Sequence, residues 1–309
     1  MVEKILSKGL ALCTALALLI LPVGPALADN ASANTRQADQ SVDRENQKKT
    51  EEKRKTTLKE ATDAIRETEN ALKALDEKHA EKAIKHLKQA IGDLEIILAR
   101  DPQLALAPSG VEVITYDVLA DLKTIKEMRD MAEDALEDGR VQEARRLLRG
   151  LASETVISVT HIPLATYPLA IRNAVRMIEE GKFEEAKVEL QGALSTLVVI
   201  DNIIPLPVVS ARHLLKEAEK LAEKSGRGEE ENKKLAQLLT DARTKLEFAQ
   251  ALGYGTKKQF KDLYKELDEI ESKTEKGKSG TGFFDKIKGF LKDLVKSNQP
   301  DQPKKEVSS

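Results

Sequence analysis

The chain has 309 residues, 33% charged and 40% hydrophobic, with 3% aromatic residues and no Trp. Much Ala, Leu, Glu and Lys with few aromatics is the composition of helices rather than sheets. A net charge of −2 leaves no whole-protein electrostatic case for nucleic acid as a partner.

At the N-terminus, Lys4 and Lys8 lead into an uncharged run from Gly9 to Ala28. Its apolar core is followed by Pro22, Pro25 and Ala26-Leu27-Ala28. A basic start, an apolar run and small residues before a cut make residues 1–28 a secretory signal peptide, with cleavage expected between Ala28 and Asp29. A retained anchor is the alternative, since about 20 apolar residues span a bilayer; the prolines and the Ala-Leu-Ala end oppose it. Cys13, the only cysteine, lies inside the apolar core. The mature chain then has no disulfide and no cysteine metal site.

Residues 29–57 are polar, with Val42 the only large apolar side chain and a mixed-charge run from Lys48 to Lys55. Such a stretch buries too little to offset its chain entropy, so a disordered linker is expected.

Residues 58–272 form the expected helical domain. Leu58, Ala61, Ile65, Thr68 and Leu72 share one helical face, and Ala80, Ala83, Leu87, Ile91, Leu94 and Leu98 another. The β-branched stretch Val111–Leu119 reads as a short strand or a helix start. Favoured is an extended entry into a helix from about Asp117 to Glu137, with Leu119, Leu122, Ile125, Met128, Ala132 and Leu136 facing inward. Gly139 ends it, and the next helix is expected from Val141 to Val159. Two segments, Leu169–Glu180 and Phe183–Ile200, meet at Gly181, whose freedom at positive φ suits a helix C-terminus. They form an antiparallel hairpin. Helices over Val208–Lys224, Glu229–Leu252 and Thr256–Ser272 follow, with Thr256 as an N-cap.

A loose repeat runs through this region. Ala74–Ala83, Ala135–Ala144 and Met177–Ala186 each join a helix end to a new helix through an acidic turn. Each goes on to Leu87, Leu148 or Leu190, and then to Pro102, Pro163 or Pro205. One reading is a single hairpin unit used three times, loosely like tetratricopeptide hairpins. The other is a common helical turn that recurs. The starts are 61 and then 42 residues apart, which excludes a regular solenoid.

Residues 273–282 read as a flexible linker. Residues 283–296 form a detached amphipathic helix with Phe283, Phe284, Ile287, Phe290, Leu291, Leu294 and Val295 on one face. That face suits a membrane surface, the helical body or a second subunit. Residues 297–309 are expected to be a disordered tail. The fold expected from all this is all-α: an irregular array of antiparallel helical hairpins with a detached C-terminal amphipathic helix.

No chemistry is assigned. His79 and His86 lie on one stretch without a third ligand, whereas catalytic zinc wants three. His161 and His213 flank the central hairpin and are candidates for sensing acid, because imidazole titrates near mild acidity. With 52 Asp and Glu, no carboxylate pair stands out. No phosphate loop or nucleophile elbow is present. Tyr116, Tyr167, Tyr254 and Tyr264 make no stacking platform. Catalytic, cofactor-binding and metal residues are therefore set at none, and no cofactor is implied.

The stretch from Thr160-His161-Ile162-Pro163-Leu164 to Tyr167-Pro168, the helices Ala170–Gly181 and Ala186–Leu197, and Ile203-Ile204-Pro205-Leu206-Pro207 into Ala211 resemble the YfdX family of exported bacterial proteins. The resemblance spans Leu72 to about Leu252. It rests on packing and turn residues and carries over no catalytic residue. It implies an α-helical periplasmic protein linked to stress such as acid or multidrug exposure. It also implies a tendency to form homo-oligomers and a chaperone-like role. The expected function is thus a non-enzymatic, exported stress protein that binds unfolded clients or itself through apolar helical faces. An envelope scaffold for one specific protein partner is the alternative, and a small-ligand binder a weaker one.

Overall fold

The computed structural model describes residues 32–300. The expected signal peptide and the tail beyond 300 lie outside those residues. Helix α1 (Ala33–Thr56) comes first, then α2 (Lys59–Asp76), α3 (Ala80–Arg100) and strand β1 (Leu106–Tyr116). Next are α4 (Leu122–Glu137), α5 (Val141–Arg149) and β2 (Glu154–Pro163), then α6 (Tyr167–Glu179), α7 (Phe183–Ser195) and β3 (Val198–Pro205). Four more helices end the described chain: α8 (Leu206–Glu223), α9 (Glu229–Ala251), α10 (Lys257–Thr274) and α11 (Asp285–Ser297).

Helix–helix–strand thus occurs three times in succession. The three turns are built alike. Lys78, Gly139 and Gly181 all sit at positive φ, and in each the following amide donates to the carbonyl five residues back: His79 to Ala74 at 2.8 Å, Arg140 to Ala135 at 2.7 Å, Lys182 to Met177 at 2.8 Å. This closure satisfies the last carbonyls of the first helix and reverses the chain. The shared geometry favours one unit used three times. The proline spacing does not survive as part of it. Pro163 and Pro205 end strands, whereas Pro102 precedes β1 because α3 is longer than α5 or α7.

The strands correct the all-α expectation. They form one antiparallel sheet in the order β1-β2-β3, with Val159 opposite Val111 on one side and Ile200 on the other. The helix expected to run to Val159 stops at Gly150. Beyond it, Thr155, Ile157 and Val159 are buried on alternate positions of β2. Stiff β-branched side chains fit a pleated surface better than a helix. Similarly the helix expected to reach Ile200 ends at Ser195, and Val198-Val199-Ile200 opens β3. Leu197 and Val198 extend the helical spacing of α7 by two residues, which hides the boundary in the sequence.

Two main cores result. One joins α2, α3, α6 and α7 around Leu87, Leu94, Ile97, Tyr167, Ile171 and Leu190. The other joins α1, α8, α9, α10 and α11 around Leu214, Leu246, Phe260, Leu267, Phe284 and Leu294. Val42, Ile157, Ile204 and Val209 pack α1 and α8 on the sheet.

Three polar segments differ from their sequence reading. Residues 33–56, expected to be disordered, are α1. Its stripe is narrow, with Ala38, Val42, Asn46 and Thr50 buried at every fourth position. Average composition misses such a stripe, because two of its four members are polar. Residues 273–282, expected to be a flexible linker, begin within α10 and are pinned by Arg227, whose guanidinium donates to Thr274 and Lys278 carbonyls. Helix α11 is docked rather than detached, its Ile287, Leu291 and Leu294 buried in the second core. At the start of the expected tail, the Asn298 amide donates to the Tyr254 carbonyl at 2.8 Å. The Gln299 amide exchanges two hydrogen bonds with the backbone of Ile203, at 3.0 and 2.7 Å.

Candidate functional site

The residues singled out for chemistry do not converge. His79 caps α3 at the surface, with Nδ1 3.4 Å from Glu77. His86 meets Glu67 of α2 at 2.6 Å, and this contact holds the Glu67 carboxyl below the usual carboxylate range. His161 lies on β2, half-buried, its Nδ1 without a hydrogen-bond partner among the described residues. Burial holds its imidazole below the ordinary histidine value, partly offset by the Val198 and Val159 backbone. His213 lies on α8 against Glu45 of α1 at 3.1 Å. The tyrosines are equally dispersed. Tyr254 accepts the Ser153 amide at 2.8 Å, Tyr264 donates to Gln250 at 2.8 Å, and Tyr116 is exposed. Tyr167 is buried at the start of α6, and burial pushes its hydroxyl up to about 12. Among the described residues, no group of three or more His, Cys, Asp or Glu is placed to hold a metal. No helix there is long and apolar enough to cross a membrane.

Helix α1 is held by a polar seam. Ser32 donates to Asp241 at 2.6 Å, and Asp39 accepts from Ser210 at 2.8 Å and Lys245 at 2.9 Å. Asn46 donates to Thr155 at 3.0 Å. Glu45 takes both Arg212 and His213. The His213 hydrogen bond, then those of Arg212 and Lys49 working against burial, hold the Glu45 carboxyl well below the usual range. A carboxylate so depressed in the folded state adds stability above its ordinary pKa of about 4.3, and that stability is lost as pH falls through the folded value. Glu45→Gln is therefore expected to cost about 1–2 kcal/mol at neutral pH. The gap from the unsubstituted chain should close in strong acid. Urea midpoints at both pH values check this; a gap that persists in strong acid would contradict it.

The hairpin α4–α5 is the surface that differs most from expectation. Ile125 and Leu151 fasten it to Phe248 and Ala251 of α9 and to Leu252 just after it. Leu119 and Leu136, both expected to face inward, are exposed, together with Met131, Val141 and Leu148. Solvent-facing apolar side chains gathered on one small hairpin mark a contact surface more than scattered ones do. Their charged neighbours are unevenly spread, with Lys123, Lys126 and Arg129 in the first part of α4 and Glu143 the one acid of α5. Asp130, Glu133, Asp134 and Glu137 crowd the end of α4, and Arg145, Arg146 and Arg149 line α5. The uneven spread is visible in the sequence, yet a reading of apolar stripes passes over it.

Residues 64–203 match the model of the YfdX protein family, a span that runs from within α2 into β3 and so takes in the three helix–helix–strand units. Among solved structures, one similar chain is YfdX of Salmonella Typhi. It is 16% identical, with a TM-score of 0.34 over 48% of this chain and 93% of that one. No curated protein matches the chain. The match to the YfdX family is thus confined to the segment that builds the three hairpins and the sheet, residues 64–203.

Proposed function

We infer that this chain is an exported, non-enzymatic protein that works in the periplasm under stress. It acts by protein contact, chaperone-like and self-assembling, through apolar helical surface. The observation that carries this reading is the α4–α5 hairpin, where Met131, Leu136, Val141 and Leu148 meet solvent within two short helices. Such a surface binds the apolar segments of a partly unfolded chain. By mass action it lowers the concentration of chains free to aggregate. The seat of α11 supports a water-borne rather than a membrane-bound role, because its apolar face is taken up by α8 and α10.

A light-scattering assay with reduced insulin as client tests the reading. Mature protein at equimolar ratio is expected to suppress most of the scattering at neutral and mildly acid pH. The double variant Leu136→Asp and Leu148→Asp is expected to lose most of that suppression. No suppression by the unsubstituted protein at either pH would reject the function.

A further inference from the structure

The three hairpins share one construction but not one environment. In the first core, α2 packs on α7 and α3 on α6. The first helix of each hairpin therefore meets the second helix of the other, which is the arrangement a two-fold axis produces. The buried positions of that core correspond by the spacing of the turns. Leu75 of α2 and Ile178 of α6 are each 3% exposed, and their counterpart Leu136 of α4 is 49% exposed. Leu87 of α3 and Leu190 of α7 are 0% exposed, and their counterpart Leu148 of α5 is 47% exposed. Hairpin α4–α5 thus carries leucines at the positions its two siblings bury and has no hairpin packed against it.

Charge identifies the occupant. Lys187 of α7 crosses to Asp76 of α2 at 3.1 Å, bridging the two paired hairpins. The counterpart of Lys187 on α5 is Arg145, and the counterpart of Asp76 at the end of α4 is Glu137. Both are exposed, and neither makes a salt bridge among the described residues. Within one hairpin, the acids at the end of α4 and the arginines of α5 form opposite halves. A two-fold partner with the same hairpin sets each acidic half on a basic half. That self-complementarity is what an isologous interface requires.

We propose that hairpin α4–α5 is a homodimer surface, on which a second copy of this chain docks as α2–α3 docks on α6–α7, with Glu137 of each copy meeting Arg145 of the other. The proposal rests on reading this hairpin as a protein-contact surface and names its partner. Leu136 and Leu148 become the buried centre, so that a second copy and an unfolded client compete for this surface, and the charged pairs set the orientation at the rim.

Sedimentation of the mature chain across a wide concentration range is the test. The unsubstituted protein is expected to dimerise. Glu137→Arg alone and Arg145→Glu alone each place like charges at both crossings, and each should weaken the dimer about tenfold or more. An equimolar mixture of the two single variants restores both crossings, so heterodimers should form at close to the original affinity. The double variant Glu137→Arg with Arg145→Glu should recover as well. Both positions are on the helix surface, and matching circular dichroism shows each variant folded. A monomeric unsubstituted protein, single variants as dimeric as it is, or a mixture that stays monomeric would each overturn the proposal. Failure here with intact suppression of insulin scattering sinks the dimer alone. Loss of that suppression in the unsubstituted protein sinks the functional reading instead.

Discussion

Phe284→Ala is expected to destabilise the folded chain by about 3–5 kcal/mol, the usual cost of emptying a fully buried aromatic site. Phe284 is 1% exposed at the head of α11 and belongs to the core that holds Leu214, Phe260 and Leu267. Its neighbours show how closely α11 is seated. Ile287, Leu291 and Leu294 are buried, and a Cβ at Gly255 would collide with the Leu294 side chain. At the rim, Lys286 donates to the buried Glu266 at 2.9 Å, and Lys288 pairs with Glu219 of α8. The same sequence of apolar and basic residues would suit a lipid surface, and the two readings separate in one experiment. If α11 serves the core, Phe284→Ala lowers the urea midpoint by circular dichroism. If it serves a membrane, the midpoint stays and binding to anionic vesicles falls.

Arg227→Ala is expected to cost about 2–4 kcal/mol and to open the segment after α10 to proteases, because hydrogen bonds from a charged donor contribute more than neutral ones and losing the donor strands its acceptors. The side chain is 7% exposed and makes six hydrogen bonds. Nη1 donates to the carbonyls of Leu221 and Ala222, both at 2.9 Å, and of Lys224 at 3.1 Å, at the end of α8. Nη2 reaches Thr274 at 3.4 Å and Lys278 at 2.6 Å, and Nε reaches Asn232 at 3.0 Å. Arg227→Lys should recover only part, because an ammonium is a point charge without the planar fork. Limited proteolysis is the sharper readout, with new cleavage expected between 273 and 282 in the Ala variant. An unchanged digest and midpoint would show that Arg227 is not what orders the segment.

Both cases mark where the sequence stops being legible. Helix ends set by local chemistry could be read. Gly139 and Gly181 close hairpins as expected, and Thr256 caps α10 through its bond from the Gln259 amide at 3.2 Å. Helices α6, α9 and α10 fall within two residues of their expected limits. The order in residues 275–278 could not be read, because its cause is an arginine some 50 positions away. The strands were missed for a related reason. A β-branched run beside a helix continues its apolar spacing for a turn, and pairing such as Val159 with Val111 and Ile200 is made across many intervening residues. Helix α1 hid in its composition, since its seam to α8, α9 and β2 is made of Ser32, Asp39, Glu45 and Asn46 rather than of large apolar side chains.

The amino-acid order alone determined where the chain turns and which face of each helix is apolar, because capping and a 3.6-residue period act within a few residues. Only the tertiary structure decided which of those faces is covered. Leu75, Leu136 and Ile178 occupy the same place in three similar hairpins, yet two are buried and one meets water. Burial depends on what else the chain brings alongside, and of the three hairpins only α4–α5 has no sibling packed against it.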